Sequence, residues 1–454
     1  MPYTSLNPAT DELMQSFPDW DAHQLRLSLE LAGAAQTQWR STSFDRRAAV
    51  LRHTAAELRR SVAEYAALIT LEMGKPIREA RAEVEKCALV CDYYALNGAR
   101  FLQDEPVESD AGSSYVAYAP LGVVLAVMPW NFPFWQVFRA AAPALMAGNG
   151  MALKHASNVP QCALAIERIF RNAGLPENVF TTLMIASSQV AEVIEADAVQ
   201  AVTLTGSEHA GRAVAALAGR HLKKCVLELG GSDAFVVLHD ADLENAAATA
   251  VASRFLNAGQ SCIAAKRFIL TPEIADEFVR LLLPRIAALQ VGDPLQENTQ
   301  IGPMARRDLR DELHQQVADT LTQGAVPLLG CQPPSGAGAY YPPSLIDQVT
   351  PQTRAWREEL FGPVALVLRA HSEEDALRIA NDSRFGLGCC LWSRDTARAE
   401  RLSRDIQAGC CFINGMVKSD PRLPFGGIKA SGFGRELSYH GIREFTNAKT
   451  VWMR

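Results

Sequence analysis

From residue 116 onward, short strand-like runs alternate with helical runs, and this alternation limits the fold more than any other feature of the chain. The runs Val123–Val127 and Val199–Leu204 are strand-like, and the helical run Gln161–Ala173 lies between them. A second series begins after Gly230–Gly231 and extends to Asn381. Because helices that connect parallel strands cover both faces of a sheet, the pattern predicts two α/β units, each built on a parallel sheet.

The N-terminal part of the chain has a different pattern, in which Ala, Leu, Glu and Arg recur at helical spacing over residues 21–101. The runs Arg46–Met73 and Arg78–Phe101 predict two long helices, and the glycine and proline of Met73–Pro76 favour a break between them. A chain of 454 residues exceeds what one simple hydrophobic core accommodates. We therefore expect two or more domains, with a boundary at Gly230–Gly231.

Two further stretches, Ser113–Ala119 and Glu444–Trp452, alternate in a strand-like way outside the regular series of strands and helices. Edge strands carry unpaired backbone groups that bind other strands. We therefore predict that these stretches pair across subunits and build a homodimer or homotetramer.

The composition argues against several classes of partner. The net charge of −6 is modest and no basic stripe is present, so we do not expect nucleic acid to bind. No apolar stretch reaches the about 18–20 residues that cross a bilayer, and the N-terminus does not resemble a secretory signal. The ten cysteines lack the spacing of a zinc site or a disulfide framework. We expect a cytoplasmic protein with free thiols, no metal and no membrane contact.

One of the cysteines has the surroundings of a nucleophile. Cys262 ends the stretch Asn257–Cys262, which follows the helical run Ala246–Phe255 and precedes the strand-like run Phe268–Leu270. Gly259 frees the backbone, and the polar residues beside it are unsuited to a core. A loop cysteine is a candidate nucleophile because its thiolate is intrinsically reactive. Taken alone, however, a cysteine is more often a small buried hydrophobe.

A second candidate is the amide of Asn131, which lies in Pro129–Pro133 directly after the strand-like run Val123–Val127. The carboxyl ends of parallel strands are where open α/β sheets bind ligands. An amide N–H placed there can stabilise a developing oxyanion, which lowers a barrier by roughly 2.7–4 kcal/mol. The alternative is a proline-bounded loop whose aromatic residues pack against the core.

A third candidate is the carboxylate of Glu228, which ends an apolar strand and precedes Gly230–Gly231. A carboxylate among apolar neighbours has a raised pKa, which suits a general base. The alternative is an ordinary glutamate at the end of a strand.

Two weaker signals complete the set. The turn Thr205–Gly211 lies between a strand and a helix, where backbone N–H groups can bind phosphate, although Ser207 is also a good helix N-cap. The stretch Arg357–Pro363 has two adjacent carboxylates that are suited to sugar hydroxyls, or that form a solvated acidic pair.

Together, and in this order, these segments resemble the aldehyde dehydrogenase superfamily over nearly the whole chain. The resemblance rests on seven collinear segments: Pro129–Pro133, Lys154, Thr205–Gly211, Glu228–Gly231, Gly259–Cys262, Glu359–Pro363 and Pro424–Gly432. Within the superfamily the chain is most similar to the short bacterial succinate-semialdehyde dehydrogenases of the Sad type. The stretches shared with that group are Cys225–Asp233, Ala264–Phe268 and Gly432–Ser438.

The resemblance implies a covalent oxidation. Cys262 attacks the aldehyde to give a thiohemiacetal, whose oxyanion is held by the Asn131 amide and the Cys262 backbone N–H. Hydride then passes to the nicotinamide, and Glu228 activates the water that hydrolyses the resulting thioester. The alternatives are a CoA-acylating enzyme, which generally lacks the base at Glu228, and a catalytically idle homologue kept as a binding or structural protein.

The resemblance also implies the architecture: an aldehyde dehydrogenase-like α/β fold with two Rossmann-like domains and a small β oligomerisation element. Residues 1–110 and 125–229 correspond to the dinucleotide-binding domain, and residues 230–435 to the catalytic domain. Residues 111–124 and 436–454 correspond to the oligomerisation strands.

The cofactor implied is NAD, with NADP tolerated, because Ser157 stands where NAD-preferring members often carry a glutamate. Glu359 is expected to hold the nicotinamide ribose and Lys154 the adenosine ribose, with Gly206 and Ser207 beside the pyrophosphate. The remaining cofactor contacts predicted are Trp130, Gly211, Leu229 and Phe361.

The distal carboxylate of a semialdehyde is expected to meet Arg139 and Ser419, with Trp135 and Phe425 also at the substrate site. An arginine that some members carry before the catalytic cysteine is replaced by Leu256, so we expect either Lys418 or Arg422 to supply the charge, or a broader specificity for aliphatic aldehydes. The alternative for Arg139 is a solvated arginine on a helix surface. Ala264 replaces the second cysteine of a disulfide switch found in some relatives, so that switch should be absent.

Overall fold

The computed structural model describes residues 3–454, which fold into two mainly parallel sheets, a small three-stranded antiparallel sheet, two antiparallel strand pairs and the helices around them. The helices are α1 (Ala22–Trp39), α2 (Phe44–Arg60), α3 (Val62–Met73), α4 (Ile77–Phe101), α5 (Trp135–Ala147), α6 (Pro160–Asn172), α7 (Val190–Glu195), α8 (Glu208–Arg220), α9 (Leu243–Phe255), α10 (Ala275–Ala287), α11 (Arg307–Thr322), α12 (Arg354–Arg357), α13 (Glu373–Asn381), α14 (Thr396–Ser403) and α15 (Ser438–Glu444). Short 3₁₀ turns occupy Ser187–Gln189 and Leu256–Gly259.

The strands are β1 (Tyr3–Leu6), β2 (Leu13–Phe17), β3 (Glu105–Pro106), β4 (Ser113–Pro120), β5 (Val123–Met128), β6 (Gly150–His155), β7 (Phe180–Thr182), β8 (Val199–Thr205), β9 (Lys224–Glu228), β10 (Asp233–Val237), β11 (Ala265–Leu270), β12 (Val326–Leu329), β13 (Ser344–Asp347), β14 (Val364–Arg369), β15 (Phe385–Gly386), β16 (Gly388–Trp392), β17 (Cys410–Ile413), β18 (Ile428–Lys429), β19 (Gly432–Phe433) and β20 (Thr446–Met453).

The first sheet has six strands in the order β19-β9-β8-β5-β6-β7, and all of them are parallel except the short edge strand β19. Its central strand β5 is apolar on both faces. Val124 and Ala126 pack into the core beneath α4 and α5, whereas Val123 and Leu125 pack into the opposite core with α1. A strand covered on both faces reads as a continuous apolar run, which explains why the sequence showed one there.

The second sheet has seven strands in the order β12-β13-β14-β11-β10-β16-β17, and only β12 is antiparallel. Along β10, Ala234 and Val236 face one core while Phe235 and Val237 face the other. The predicted α/β class with two parallel-sheet units is confirmed.

The small sheet, β20-β4-β3, joins the two stretches that the sequence set apart. β4 and β20 pair antiparallel from Ser113 with Met453 to Pro120 with Thr446. The strand predictions are confirmed, except that Glu444 ends α15 and the strand begins at Thr446. Within this chain the two stretches pair with each other, and pairing across subunits stays a prediction.

The chain passes from the first sheet to the second at Gly230–Gly231, which lies between β9 and β10, and the predicted domain bounds stay a prediction. It returns earlier than the predicted limit at residue 435, since Gly432–Phe433 pairs with β9 in the first sheet. Likewise β5 begins at Val123, inside the predicted oligomerisation segment 111–124.

One helix prediction was wrong in detail. The run Arg46–Met73 is two helices, α2 and α3, because the backbone leaves helical geometry at Ser61 (φ −111°, ψ 26°). Periodicity alone does not reveal this break, since apolar spacing continues across it. Gly74 then ends α3 in the left-handed conformation (φ 80°), which glycine adopts without steric cost.

None of the helices within residues 3–454 combines the length and apolar character needed to span a membrane.

Candidate active site

Three neighbouring strands of the first sheet have polar residues at or just after their carboxyl ends. β9 ends at Glu228, β8 ends just before Gly206 and Ser207, and β5 ends three residues before Asn131. Since these strands are parallel and adjacent, their carboxyl ends meet at the same edge of the sheet.

The second sheet contributes the cysteine. After α9, the turn Leu256–Gly259 places Asn257 (φ 55°) and Ala258 (φ 52°) in the left-handed region before the chain reaches Cys262. Non-glycine residues in this region cost free energy, and such strain concentrates at functional sites. The Asn257 side chain holds the turn by donating to the carbonyl oxygens of Asn131 (2.7 Å) and Gln260 (3.2 Å).

The buried ammonium of Lys266 fixes the other side of the cysteine loop. Its Nζ donates to the carbonyl oxygens of Ser261 and Cys262, both at 2.8 Å, and lies 3.0 Å from Glu359 Oε1. One lysine therefore sets the position of Cys262 relative to Glu359. Glu359 in turn accepts a hydrogen bond from the Gly231 backbone N–H at 3.2 Å.

The amide of Asn131 lies directly against the cysteine loop. The side chain is buried, and Nδ2 donates to the carbonyl oxygen of Gln260 at 3.1 Å across 129 positions of sequence. An amide nitrogen carries two hydrogens, so this bond leaves one for a substrate oxygen beside Cys262. The structure thus brings together two of the three residues predicted to be catalytic.

The thiol of Cys262 is half-buried, and burial raises its pKa to about 12. The positive charges of Arg139 and Lys266 oppose this rise, and the negative charges of Glu359 and Asp233 add to it. The thiol is therefore protonated at neutral pH in this state. Nucleophilic attack requires either a proton acceptor or additional positive charge nearby.

Glu228 is buried at the end of β9, and among residues 3–454 neither of its carboxyl oxygens has a hydrogen-bond partner. Burial, and then the nearby Glu436, raise the pKa of Glu228 well above the ordinary range. An unpaired buried carboxyl is costly and is retained where its proton is used. The alternative of an ordinary glutamate at a strand end does not fit this environment.

The Glu228 carboxyl does not line the same wall as Cys262. It lies against Gly426, where a side chain would place its Cβ 2.7 Å from Glu228 Oε1. Gly426 has a φ of 156° and leaves the space that the carboxyl occupies.

Arg139 is buried in α5 rather than solvated on a helix surface, so that alternative was wrong. Its guanidinium forms an ion pair with the buried Glu436, donates to Thr205 Oγ1 at 3.3 Å and lies 4.8 Å above the Phe425 ring. The sequence analysis missed Glu436, which lies within the Gly432–Ser438 stretch of the resemblance. In the sequence, the signal that could have identified Glu436 was a charged residue directly before the apolar Leu437.

A cavity of about 320 Å³ opens between the two sheets, within the size range of ligand sites. Eight of the site residues predicted from the sequence line this cavity: Trp130, Asn131, Gly206, Ser207, Leu229, Cys262, Glu359 and Phe361. The rings of Trp130 and Phe361 meet edge to face at 5.8 Å.

The cavity suits a dinucleotide cofactor. Ser207 caps α8 through a bond from the Ala210 backbone N–H to Oγ (3.3 Å), so the N-terminus of this helix opens at the cavity and can receive a phosphate. Gly230 keeps the wall open beside Glu359, since a Cβ there would lie 2.3 Å from Oε2. Gly211 is required for packing rather than for cofactor binding, because a Cβ there would lie 2.5 Å from the Leu229 side chain.

Lys154 and Ser157 lie outside this cavity, at the end of β6 and in the loop after it. Lys154 Nζ donates to the His155 carbonyl oxygen at 2.9 Å, and burial lowers the pKa of Lys154 to about 8. Ser157 is exposed. Their role at the adenosine ribose of the cofactor stays a prediction.

The predicted substrate residues form a second cluster around Ser419. The Ser419 hydroxyl accepts hydrogen bonds from Trp135 Nε1 (3.1 Å) and from Lys86 Nζ (2.7 Å), a residue that the sequence analysis missed. Phe425 is buried beneath Arg139. Arg422 is 74% exposed and bonded to Asp420, and Lys418 is also exposed.

Comparison with known proteins agrees with this site. The sequence matches the aldehyde dehydrogenase family over residues 1–451. It is 52% identical over 453 residues to a probable succinate-semialdehyde dehydrogenase of Synechocystis sp. whose name specifies NADP(+), with 100% of both chains covered. It is 50% identical over 448 residues to Sad, the NAD(P)+ succinate semialdehyde dehydrogenase of Escherichia coli K12, covering 99% of this chain and 97% of that one.

A solved structure gives the same result. The succinic semialdehyde dehydrogenase from Streptococcus pyogenes in complex with NADP+ matches with a TM-score of 0.97 at 38% identity, covering 99% of each chain. The resemblance read from the motifs is therefore confirmed over the whole length. With its cysteine, amide and buried carboxyl at the meeting of two parallel sheets, the chain belongs to the aldehyde dehydrogenase family.

Proposed function

We propose that the protein oxidises succinic semialdehyde, or a similar short semialdehyde, to the carboxylic acid with NAD or NADP as the oxidant. The observation that carries this proposal is the contact between the Asn131 amide and the Cys262 loop at the wall of the cavity. The names of the Synechocystis and Escherichia coli relatives support the choice of substrate.

In this proposal the Cys262 thiol releases its proton to water, the sulfur bonds to the aldehyde carbon, and the carbonyl oxygen becomes an oxyanion. The free hydrogen of the Asn131 amide and the Cys262 backbone N–H hold that oxyanion. The nicotinamide, when bound, supplies the hydride acceptor. Loss of hydride from the carbon leaves a thioester on Cys262. Trp130, Glu359 and Phe361 are the residues expected to hold the nicotinamide end of the cofactor.

Glu228 then takes a proton from the water that attacks the thioester. Its raised pKa makes it a better proton acceptor than an ordinary glutamate once it is ionised. Because neither oxygen is hydrogen-bonded, the side chain can rotate from Gly426 toward the cysteine without breaking a hydrogen bond. Hydrolysis releases the acid and restores the thiol.

For the cofactor we propose use of both NAD and NADP. Lys154 is expected to bind the adenosine ribose. Ser157 adds no negative charge that would repel a 2′-phosphate. Gly206 and Ser207, at the N-terminus of α8, are the proposed pyrophosphate contacts.

The substrate proposal can be tested with a panel of aldehydes assayed for NAD(P)H formation, with each cofactor in turn. Succinic and glutaric semialdehydes should exceed neutral aldehydes of equal length by about tenfold or more in kcat/KM, equivalent to about 1.4 kcal/mol. Equal efficiencies would favour a broad aliphatic aldehyde dehydrogenase. Product formation that required coenzyme A would favour the acylating alternative.

We also propose a homodimer or homotetramer that works in the cytoplasm. β20 and the second sheet's β17 are both edge strands of this chain, and each can accept a strand from a second copy. The ten free cysteines suit a reducing compartment.

A further inference from the structure

Lys86 lies on α4, outside every motif that the sequence showed, yet its ammonium lies at the predicted substrate site. Nζ donates to Ser419 Oγ at 2.7 Å and lies 4.1 Å from the centre of the Trp135 ring. Trp135 begins α5, just after the loop that carries Asn131. The charge of Arg139 acts on both the Cys262 thiol and Lys86, so Arg139 lies near both.

The other buried lysines nearby have acidic partners, and Lys86 does not. Lys75 is paired with Glu83, and Lys266 with Glu359. Among residues 3–454, no carboxylate lies within 4.0 Å of Lys86 Nζ. A desolvated ammonium bonded to one hydroxyl and one aromatic face is incompletely compensated, and a bound anion would complete it.

The hydroxyl of Ser419 is arranged to join that anion. Lys86 and Trp135 both donate to its oxygen, which occupies the two acceptor positions of a hydroxyl. The hydrogen of Ser419 is therefore left to donate, and accepting two hydrogen bonds strengthens it as a donor. An ammonium, a hydroxyl and an indole N–H are thus clustered at one point.

The other cations offered for this role are committed elsewhere. Arg139 is paired with Glu436 and bonded to Thr205. Arg422 is bonded to Asp420 at the surface. The arginine found in some relatives is Leu256 in this chain.

We propose that Lys86, together with Ser419 and Trp135, binds the distal carboxylate of the semialdehyde and so replaces the positive charge that is missing at Leu256. This inference rests on the proposed function, because it names the cation that selects a semialdehyde over a neutral aldehyde. It covers substrate binding alone, and no bond forms or breaks at Lys86.

The test compares succinic semialdehyde with butanal, a neutral aldehyde of equal length, in wild type and in Lys86→Met. The variant should lose about tenfold or more in kcat/KM for succinic semialdehyde, as expected for one charge-assisted hydrogen bond, and the loss should be in KM. Its kcat/KM for butanal should stay within about twofold of wild type, since butanal has no carboxylate to bind. Arg100→Met, which removes an exposed cation from the same helix, should leave kcat/KM for both substrates unchanged.

A second measurement uses the product. Succinate should inhibit butanal oxidation by wild type competitively with the aldehyde, and Lys86→Met should weaken this inhibition by a similar factor. Lys86→Gln, which keeps a polar end group, provides the same comparison if the methionine variant does not fold.

Three results would contradict the inference. If Lys86→Met retained the wild-type preference for succinic semialdehyde, Lys86 would not bind the carboxylate, although the proposed function would stand. An equal loss for both aldehydes would assign Lys86 a purely structural role. If wild type showed no preference, the proposed substrate would be wrong, and this inference with it.

Discussion

The cysteine loop and the Glu228 carboxyl serve one proposed reaction but are constructed in opposite ways. Around Cys262, the side chains of Asn131, Asn257 and Lys266 are each bonded to backbone oxygens at 2.7–3.2 Å. The carboxyl of Glu228 has no hydrogen bond among residues 3–454. The difference teaches that a nucleophile and an oxyanion donor need fixed geometry, whereas a base needs a raised pKa and freedom to turn.

Removal of the nucleophile should have the largest effect. Cys262→Ala should lower kcat by at least about 10⁴-fold, because no other group can form the covalent intermediate. NAD(P)H formation in steady state measures the loss. Cys225→Ala removes another half-buried thiol and should leave the activity unchanged. Comparable activity in Cys262→Ala would mean that the oxidation does not pass through this sulfur.

Loss of the base should affect only the second half of the reaction. Glu228→Gln keeps the shape but cannot accept a proton, so the steady-state rate should fall about 10²–10⁴-fold while the first turnover of NAD(P)H persists. Rapid mixing separates the burst from the steady state. Glu358→Gln, at a half-exposed carboxylate, is the control. A burst lost together with the steady state would assign Glu228 to an earlier step.

Removal of the amide should slow the formation of the oxyanion. Asn131→Ala should lower kcat about 10²–10³-fold, the loss expected for one oxyanion donor. Its burst should slow as well, in contrast to that of Glu228→Gln. Asn97→Ala, on the outer face of α4, should be neutral. An unchanged burst in Asn131→Ala would remove Asn131 from the oxyanion site.

Substitutions in the two regions should also differ in how much they lower the free energy of unfolding. Lys266→Met leaves Glu359 and two carbonyl oxygens without their buried partner, so the free energy of unfolding should fall by about 3–5 kcal/mol. Lys429→Met, at an exposed lysine that also donates to two carbonyl oxygens, should cost far less. Glu228→Gln removes an unpaired buried acid and should not destabilise the fold. Denaturant unfolding measures all three, and equal losses at Lys266 and Lys429 would contradict this account of the loop.

The smallest of the expected effects is the pH dependence of the steady-state rate, which should follow the ionisation of Glu228. Its pKa is raised, so the carboxyl holds its proton to higher pH than an ordinary glutamate and accepts none from water below that pKa. The steady-state rate of wild type should therefore rise with pH by up to about tenfold per unit until the raised pKa is passed. Glu228→Gln should lack this rise. A steady-state rate that no longer changes with pH above about 5 would show that Glu228 has an ordinary pKa.

The sequence predicted most of the fold because its signals are local. The strand and helix runs from Val123 to Asn381 follow from apolar patterning, and α9 ends at Phe255, where expected. The break at Ser61 was missed because apolar spacing continues through it. Cys262, Asn131 and Glu228 were predicted to be catalytic because each belongs to a short unusual stretch.

The residues that the sequence analysis missed matter because of the side chains that they contact from distant parts of the chain. Lys86 bonds to Ser419 across 333 positions, and Glu436 pairs with Arg139 across most of the chain. Nothing in the local sequence of α4 distinguishes Lys86 from a solvated helix lysine. The packing of α4 against α5 gives it the aromatic face of Trp135, and the loop after β17 gives it the Ser419 hydroxyl.

The most direct test of the account is mass spectrometry of Glu228→Gln mixed with succinic semialdehyde and NADP, followed by rapid acid quenching. The account predicts one succinyl group on the peptide that contains Cys262, formed with a stoichiometric burst of NADPH. A burst of NADPH without any acyl group on Cys262 would contradict it.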